Sequence, residues 1–159
     1  MEVTILSEQL IEKIDQAHEL YHRLVLIVGP SGSGKTPLLQ EVSKQTRFRY
    51  INLNLELSRA LLDLTERQRI LRLPLLIEEI IGKTGDQVVL IDNIEILFEV
   101  SLKQDPLRLL QQISRNRTVV ATWNGIIAGG YLTNAAPNHP EYRRYPAHDL
   151  LVVTLEKKS

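Results

Sequence analysis

Between the apolar run Leu24-Val25-Leu26-Ile27-Val28 and a helical stretch beginning at Lys35 lies Gly29-Pro30-Ser31-Gly32-Ser33-Gly34-Lys35-Thr36. This segment fits the pattern G-x-x-x-x-G-K-S/T at every fixed position. Few architectures can hold such a sequence. Glycines let the main chain curl so that successive N–H groups converge where side chains would otherwise collide. A helix that starts where the curl ends adds the positive end of its dipole to the same space. Lys35 supplies a cation for β- and γ-phosphates, and the Thr36 hydroxyl is suited to magnesium. Pro37 is compatible, because N–H groups of a first helical turn have no partner within the helix. A chance match to the full pattern is expected in about one chain of this length in a few hundred. The strand–turn–helix context favours a phosphate-binding loop.

The rest of the chain reads as strands alternating with helices. Ser7 is placed to cap a first helix over residues 7–22, with Leu10, Ile11, Ile14, Ala17 and Tyr21 at helical spacing. Phe48 to Leu53 favours a strand. Ser58 and Thr65 are candidate N-caps, Thr65 with Gln68 at capping-box spacing, and Pro74 can open a helix that Gly82 ends. Val88-Val89-Leu90-Ile91 and Thr118 to Trp123 read as further strands, separated by a helix capped at Asp105-Pro106. Gly125 to Ala147 reads as a long loop, and Leu150 to Leu155 as a last strand. Uninterrupted apolar strands imply a sheet covered on both faces. The expectation is one α/β domain over residues 1–159, a three-layer sandwich around a mostly parallel sheet of about five strands.

Asp92 ends an apolar strand, at the edge where ligands of parallel sheets gather. There it would share a magnesium ion with Thr36. Hydrolysis of a nucleotide needs one more group, to orient or deprotonate water. In many ATPases of this architecture a glutamate follows the aspartate directly; here Asn93 stands there, and the nearest glutamate is Glu95. Either Glu95 reaches the site, or Asn93 orients water without acting as a strong base, or hydrolysis is slow or awaits a partner. Thr122 and Asn124 flank the end of the next strand and could sense a γ-phosphate. Arg115 and Arg117 near the start of that strand, and Arg143 and Arg144 in the long loop, are candidates to neutralise transition-state charge from a neighbouring subunit.

Composition narrows the remaining classes. Nineteen basic residues balance 19 acidic ones in 159. A neutral chain has no global electrostatic reason to lie on nucleic acid or anionic lipid, so direct DNA contact would need a local basic patch. With no cysteine, disulfides, thiolate nucleophiles and cysteine zinc sites are excluded. Neither a signal peptide nor a membrane-spanning run is expected, which suits a cytoplasmic protein. No N-K-x-D segment is present to read guanine, so the expected nucleotide is ATP.

The segments VGPSGSGKT, INLNLELSRALLDLTERQR, VVLIDNIEILFE, DPLRLLQQISRNRTVVATWNG and APNHPEYRRY together resemble the BrxF-type P-loop proteins of type 3 BREX bacteriophage-exclusion systems. The resemblance runs from about Ile27 to Tyr145. It implies a bacterial cytoplasmic component of phage defence that binds ATP, hydrolyses it, and works beside other proteins of the system. Asp92-Asn93-Ile94-Glu95 looks native to that family. The strand order also looks like the core of oligomeric AAA+-type ATPases, with a strand between the two phosphate-site strands. Only Glu156-Lys157-Lys158-Ser159 follow Leu155, so the helical lid of those proteins is expected to be missing and a partner to complete the site.

These readings lead first to an ATPase motor or switch that forms a homo-oligomer. A second possibility is an interaction module gated by nucleotide with little turnover. The third is a small-molecule kinase, which would want acids near the second strand, where Asn52 and Asn54 stand.

Overall fold

A computed structural model describes residues 2–83, 85–135 and 139–156. In chain order the elements are α1 (Glu2–Ala17), β1 (Leu24–Gly29), α2 (Lys35–Thr46), β2 (Arg49–Asn52), α3 (Leu53–Leu61), α4 (Glu66–Gly82) and β3 (Val88–Asp92). Two short 3-10 segments, Glu95–Phe98 and Val100–Leu102, precede α5 (Pro106–Ile113), β4 (Thr118–Asn124), β5 (Ile126–Ala128), β6 (Tyr131–Asn134), β7 (Arg143–Pro146) and β8 (Leu151–Thr154).

Five strands form one sheet in the order β2-β3-β4-β1-β8, with every neighbouring pair parallel. Each residue of β1 is buried, as its unbroken apolar sequence demands. Side chains of a strand alternate between faces, and the core divides accordingly. Val25 and Ile27 of β1 join Leu10 and Ile14 of α1 and Leu38, Leu39 and Val42 of α2 on one side. Leu24, Leu26 and Val28 join residues of α3, α4 and α5 on the other. The result is the expected three-layer α/β sandwich. Register sets Gly29 of β1 opposite Asn124 of β4, and Asn52 of β2 opposite Asp92 of β3, so the polar strand ends share one edge.

Several local expectations are corrected. Helix α1 begins at Glu2 and ends at Ala17, rather than spanning 7–22. Ser7 is no cap: it is fully buried with Leu10, Ile14 and Ala17 on the packed stripe, and its hydroxyl donates back to Thr4 O at 2.8 Å. Ser58 lies inside α3, whose cap is Asn52, accepting from Leu55 N at 3.1 Å. Thr65 does cap α4, and its capping box with Gln68 is complete.

Pro74 sits inside α4 rather than opening it. A proline there leaves the carbonyl four residues back without its helical donor. The Gln104 side-chain amide supplies the missing bond, donating to Ile70 O at 3.1 Å. Tertiary structure has repaired the helix.

The segment 125–147 is not simply a loop. Within it β5, β6 and β7 make a small antiparallel sheet. Gly129-Gly130, both at positive φ, form the two-residue turn between Ala128 and Tyr131. This sheet is fastened to the main body through Asp105, whose carboxylate accepts from Arg108 N at 3.2 Å as the cap of α5 and from the Tyr145 hydroxyl at 2.8 Å. Asp105→Ala should lower the unfolding free energy by about 1–2 kcal/mol. Tyr145→Phe should have a smaller effect, and the double variant should lose less than the sum because the contact is shared. Urea midpoints for the three variants check this.

Candidate functional site

The curl after β1 closes through Ser33 N donating to Pro30 O at 3.2 Å, and Gly34 caps α2 at φ 95°, a left-handed conformation that favours glycine. Lys35 is only 7% exposed. Its ammonium folds back over the loop, donating to Gly29 O at 2.8 Å, Pro30 O at 2.7 Å and Ser33 Oγ at 3.4 Å. Burial pushes its pKa below the ordinary lysine value, against the opposing pull of the Glu95 and Asp92 carboxylates.

Asp92 is 2% exposed and its carboxylate accepts four hydrogen bonds. On Oδ2 converge the hydroxyls of Thr36 at 2.7 Å and Tyr50 at 2.6 Å. On Oδ1 converge the Thr122 hydroxyl at 2.8 Å and the Asn93 N–H at 3.0 Å. A buried carboxylate is tolerable only when its lone pairs are met in this way. The donors come from α2, β2, β4 and the turn after β3. Thr36 and Asp92, far apart in sequence, are thus in direct contact.

Asn93 occupies the left-handed region at φ 55°, which asparagine tolerates better than most residues. Its carbonyl accepts from Asn54 N at 2.9 Å, which ties the turn to α3. Glu95 opens a 3-10 segment and is exposed, with its Oε1 accepting from the Asn124 side-chain amide at 2.7 Å. The two strand ends that carry Asp92 and Asn124 therefore bring an acid and an amide into one arrangement.

A cavity of about 290 Å³ lies between loop and sheet edge. From the loop and α2 it is lined by Ser31, Gly32, Gly34, Lys35, Thr36 and Pro37. From the strands come Asp92, Asn93, Glu95, Thr122 and Asn124. Gly29, Pro30 and Ser33 are not in its wall; their main-chain and hydroxyl oxygens hold Lys35 from beneath.

Within the chain itself the arginines face other partners. Arg143 and Arg144 lie on β7 and do not line this cavity. Arg143 donates to Tyr142 O at 3.3 Å and Gln104 O at 3.5 Å, and Arg144 stacks over Tyr131 at 3.5 Å from the ring centroid. Arg117 pairs with Glu78 at 3.2 Å, and Arg115 lies over Tyr21. Among the described residues, Lys35 is the one cation in the cavity wall. Tyr50 is the residue missed from sequence. Strand propensity explained its presence, and only the pairing of β2 with β3 reveals its approach to Asp92.

Two outcomes follow from this geometry. A Cβ on Gly29 would stand 2.5 Å from Ser33 Oγ and 2.8 Å from Leu155 O. Gly29→Ala should therefore destabilise the protein by about 1–3 kcal/mol and weaken nucleotide binding, measured by thermal unfolding and by titration of a fluorescent ATP analogue. The second concerns pH. A bound triphosphate favours charged Lys35, whereas the free protein gives up that proton below the ordinary lysine value. Affinity should fall as pH rises, starting earlier than free lysine would require, and the same titration across the alkaline range reads it.

No curated protein matches the sequence significantly. Among solved structures, C. elegans PCH-2 aligns with 99% of this chain and 41% of its own, at 20% identity and a TM-score of 0.44. AMPPCP-bound DnaA from Aquifex aeolicus aligns with 94% of this chain and 44% of its own, at 15% identity and a TM-score of 0.40. The chain spans about two fifths of the length of either. The sequence model for the ATPase family associated with various cellular activities matches residues 25–120. That stretch runs from β1 into β4 and includes the phosphate loop, Asp92 and Glu95. This chain belongs to the ATPase family associated with various cellular activities (AAA).

Proposed function

We propose that the chain binds ATP with magnesium and hydrolyses it, working as a switch or motor among several copies of itself. The observation that carries this reading is the direct contact of Thr36 and Asp92 beside Lys35 at one end of the cavity. Hydroxyl and carboxylate oxygens are a donor set suited to magnesium, which binds hard oxygen ligands, so Thr36 and Asp92 would hold it. When bound, the ion neutralises charge developing on the phosphate oxygens.

The chain's own groups supply the rest. Main-chain N–H groups around Gly32 and Gly34 and the start of α2 receive phosphate oxygens. Lys35 exchanges its carbonyl partners for an anion, a stronger partner for an ammonium group. Glu95 takes the role of general base for water, with Asn124 fixing its carboxylate and reaching toward the γ-phosphate. Lys35→Ala should lower phosphate release and weaken nucleotide binding by about tenfold or more, the usual cost of losing a hydrogen bond to a charged group. Glu95→Gln should leave binding within about twofold while lowering turnover about 100-fold or more, the usual share of a general base. Turnover in Glu95→Gln equal to wild type would remove Glu95 from the mechanism.

Since Lys35 is the cavity's one cation among the described residues, transition-state charge calls for an arginine from a second copy. Exposed Arg144 and half-buried Arg143 are candidates to act in trans. Specific activity that rises with protein concentration, and falls in Arg144→Ala at matched concentration, supports a shared site. A second reading is a nucleotide-gated interaction module with little turnover, favoured by Asn93 directly after Asp92. Tight ATP binding without phosphate release at any protein concentration would select it. Participation in phage exclusion beside other defence proteins rests on the sequence resemblance. It predicts that Lys35→Ala abolishes protection of a host that carries the complete system.

A further inference from the structure

Tyr50 belongs to none of the roles assigned above, yet its hydroxyl makes the shortest of the four bonds to Asp92, at 2.6 Å. The ring is half-buried and packs against the apolar cluster beneath α1 and α2.

The distribution of donors on Asp92 gives Tyr50 its significance. Thr122 and the Asn93 N–H hold Oδ1, which leaves the carboxylate free to pivot about that oxygen unless Oδ2 is also fixed. Of the two donors on Oδ2, Thr36 is itself part of the nucleotide site, whereas Tyr50 stands on the edge strand β2 and does not line the cavity. Tyr50 is therefore the donor whose hold on Oδ2 does not depend on what enters the site.

We infer that Tyr50 is a positioning residue for the metal-bound nucleotide, holding the Asp92 carboxylate in the orientation that magnesium requires. The inference rests on the reading of Thr36 and Asp92 as the magnesium site. Its effect is confined to metal-dependent affinity, because Tyr50 touches neither the phosphate loop's N–H groups nor Lys35. Outer-shell partners of metal ligands characteristically contribute 10- to 100-fold in metal affinity.

The test is Tyr50→Phe, which keeps the ring and its packing and removes one oxygen. Binding of a non-hydrolysable ATP analogue is titrated against magnesium chloride, and again in EDTA, for wild type and variant. Folding is checked by circular dichroism and urea midpoint. The expected result is a rise of about tenfold in the magnesium concentration for half-saturation, with affinity in EDTA unchanged within about twofold. An unchanged magnesium requirement in Tyr50→Phe overturns the inference, as does an equal loss with and without the metal, which would mark the tyrosine as packing only. Wild-type binding that is indifferent to magnesium would overturn the parent reading together with this one.

Discussion

The Asp92 carboxylate lies almost wholly out of water, and such a charge is stable only when the protein replaces its hydration. Four donors do so, drawn from α2, β2, β4 and the turn that follows β3. Those elements converge because the sheet is parallel, which brings the carboxyl ends of β2, β3 and β4 to one edge. The phosphate loop after β1 lies against the same edge, since β4 separates β1 from β3 by a single strand. One buried acid thus cross-links the loop helix, the edge strand and the strand that carries Asn124.

Lys35 meets the same constraint with opposite sign. Desolvation disfavours its charge, two main-chain carbonyls partly compensate, and the carboxylates of Asp92 and Glu95 stabilise it from across the cavity. In the proposed function, an incoming polyphosphate would be a better partner than either carbonyl, and the lysine would change partners. Gly29 O accepts from both Lys35 Nζ and Gly125 N. The loop is thereby joined to the start of the small antiparallel sheet. Trp123, fully buried, donates from its indole to Thr133 O and packs edge-on against Phe98 and Tyr145. The residue beside Asn124 is thus anchored by packing and a hydrogen bond, and the Asn124 amide donates to Glu95.

Much of this was legible in local signals. The apolar strands β1 and β3, Asp92 at a strand end and the Thr65 capping box each depend on a few adjacent residues, and each appears where its local signal puts it. Local preference is overridden where a residue has stronger distant partners. Ser7 has the chemistry of a cap, but Leu10, Ile14 and Ala17 carry its face into the core. Pro74 looks like a helix start, but Gln104 from a distant segment satisfies the carbonyl that it orphans. Gly129-Gly130 between β-compatible residues was a local hairpin signal, masked by the surrounding Gly, Pro and Asn.

Sequence by itself determined the chemistry available: a glycine-rich curl, a lysine, a hydroxyl and a carboxylate, on an α/β frame. Those properties are encoded within short windows, because main-chain curvature and strand burial follow from neighbouring residues. Tertiary structure alone decided which of the polar residues share a site. Tyr50 and Thr122 reach Asp92, Asn124 reaches Glu95, and Arg143 and Arg144 are turned to other partners. Such pairings depend on strand order and register, which arise from burying the whole apolar surface at once and are written in no single segment.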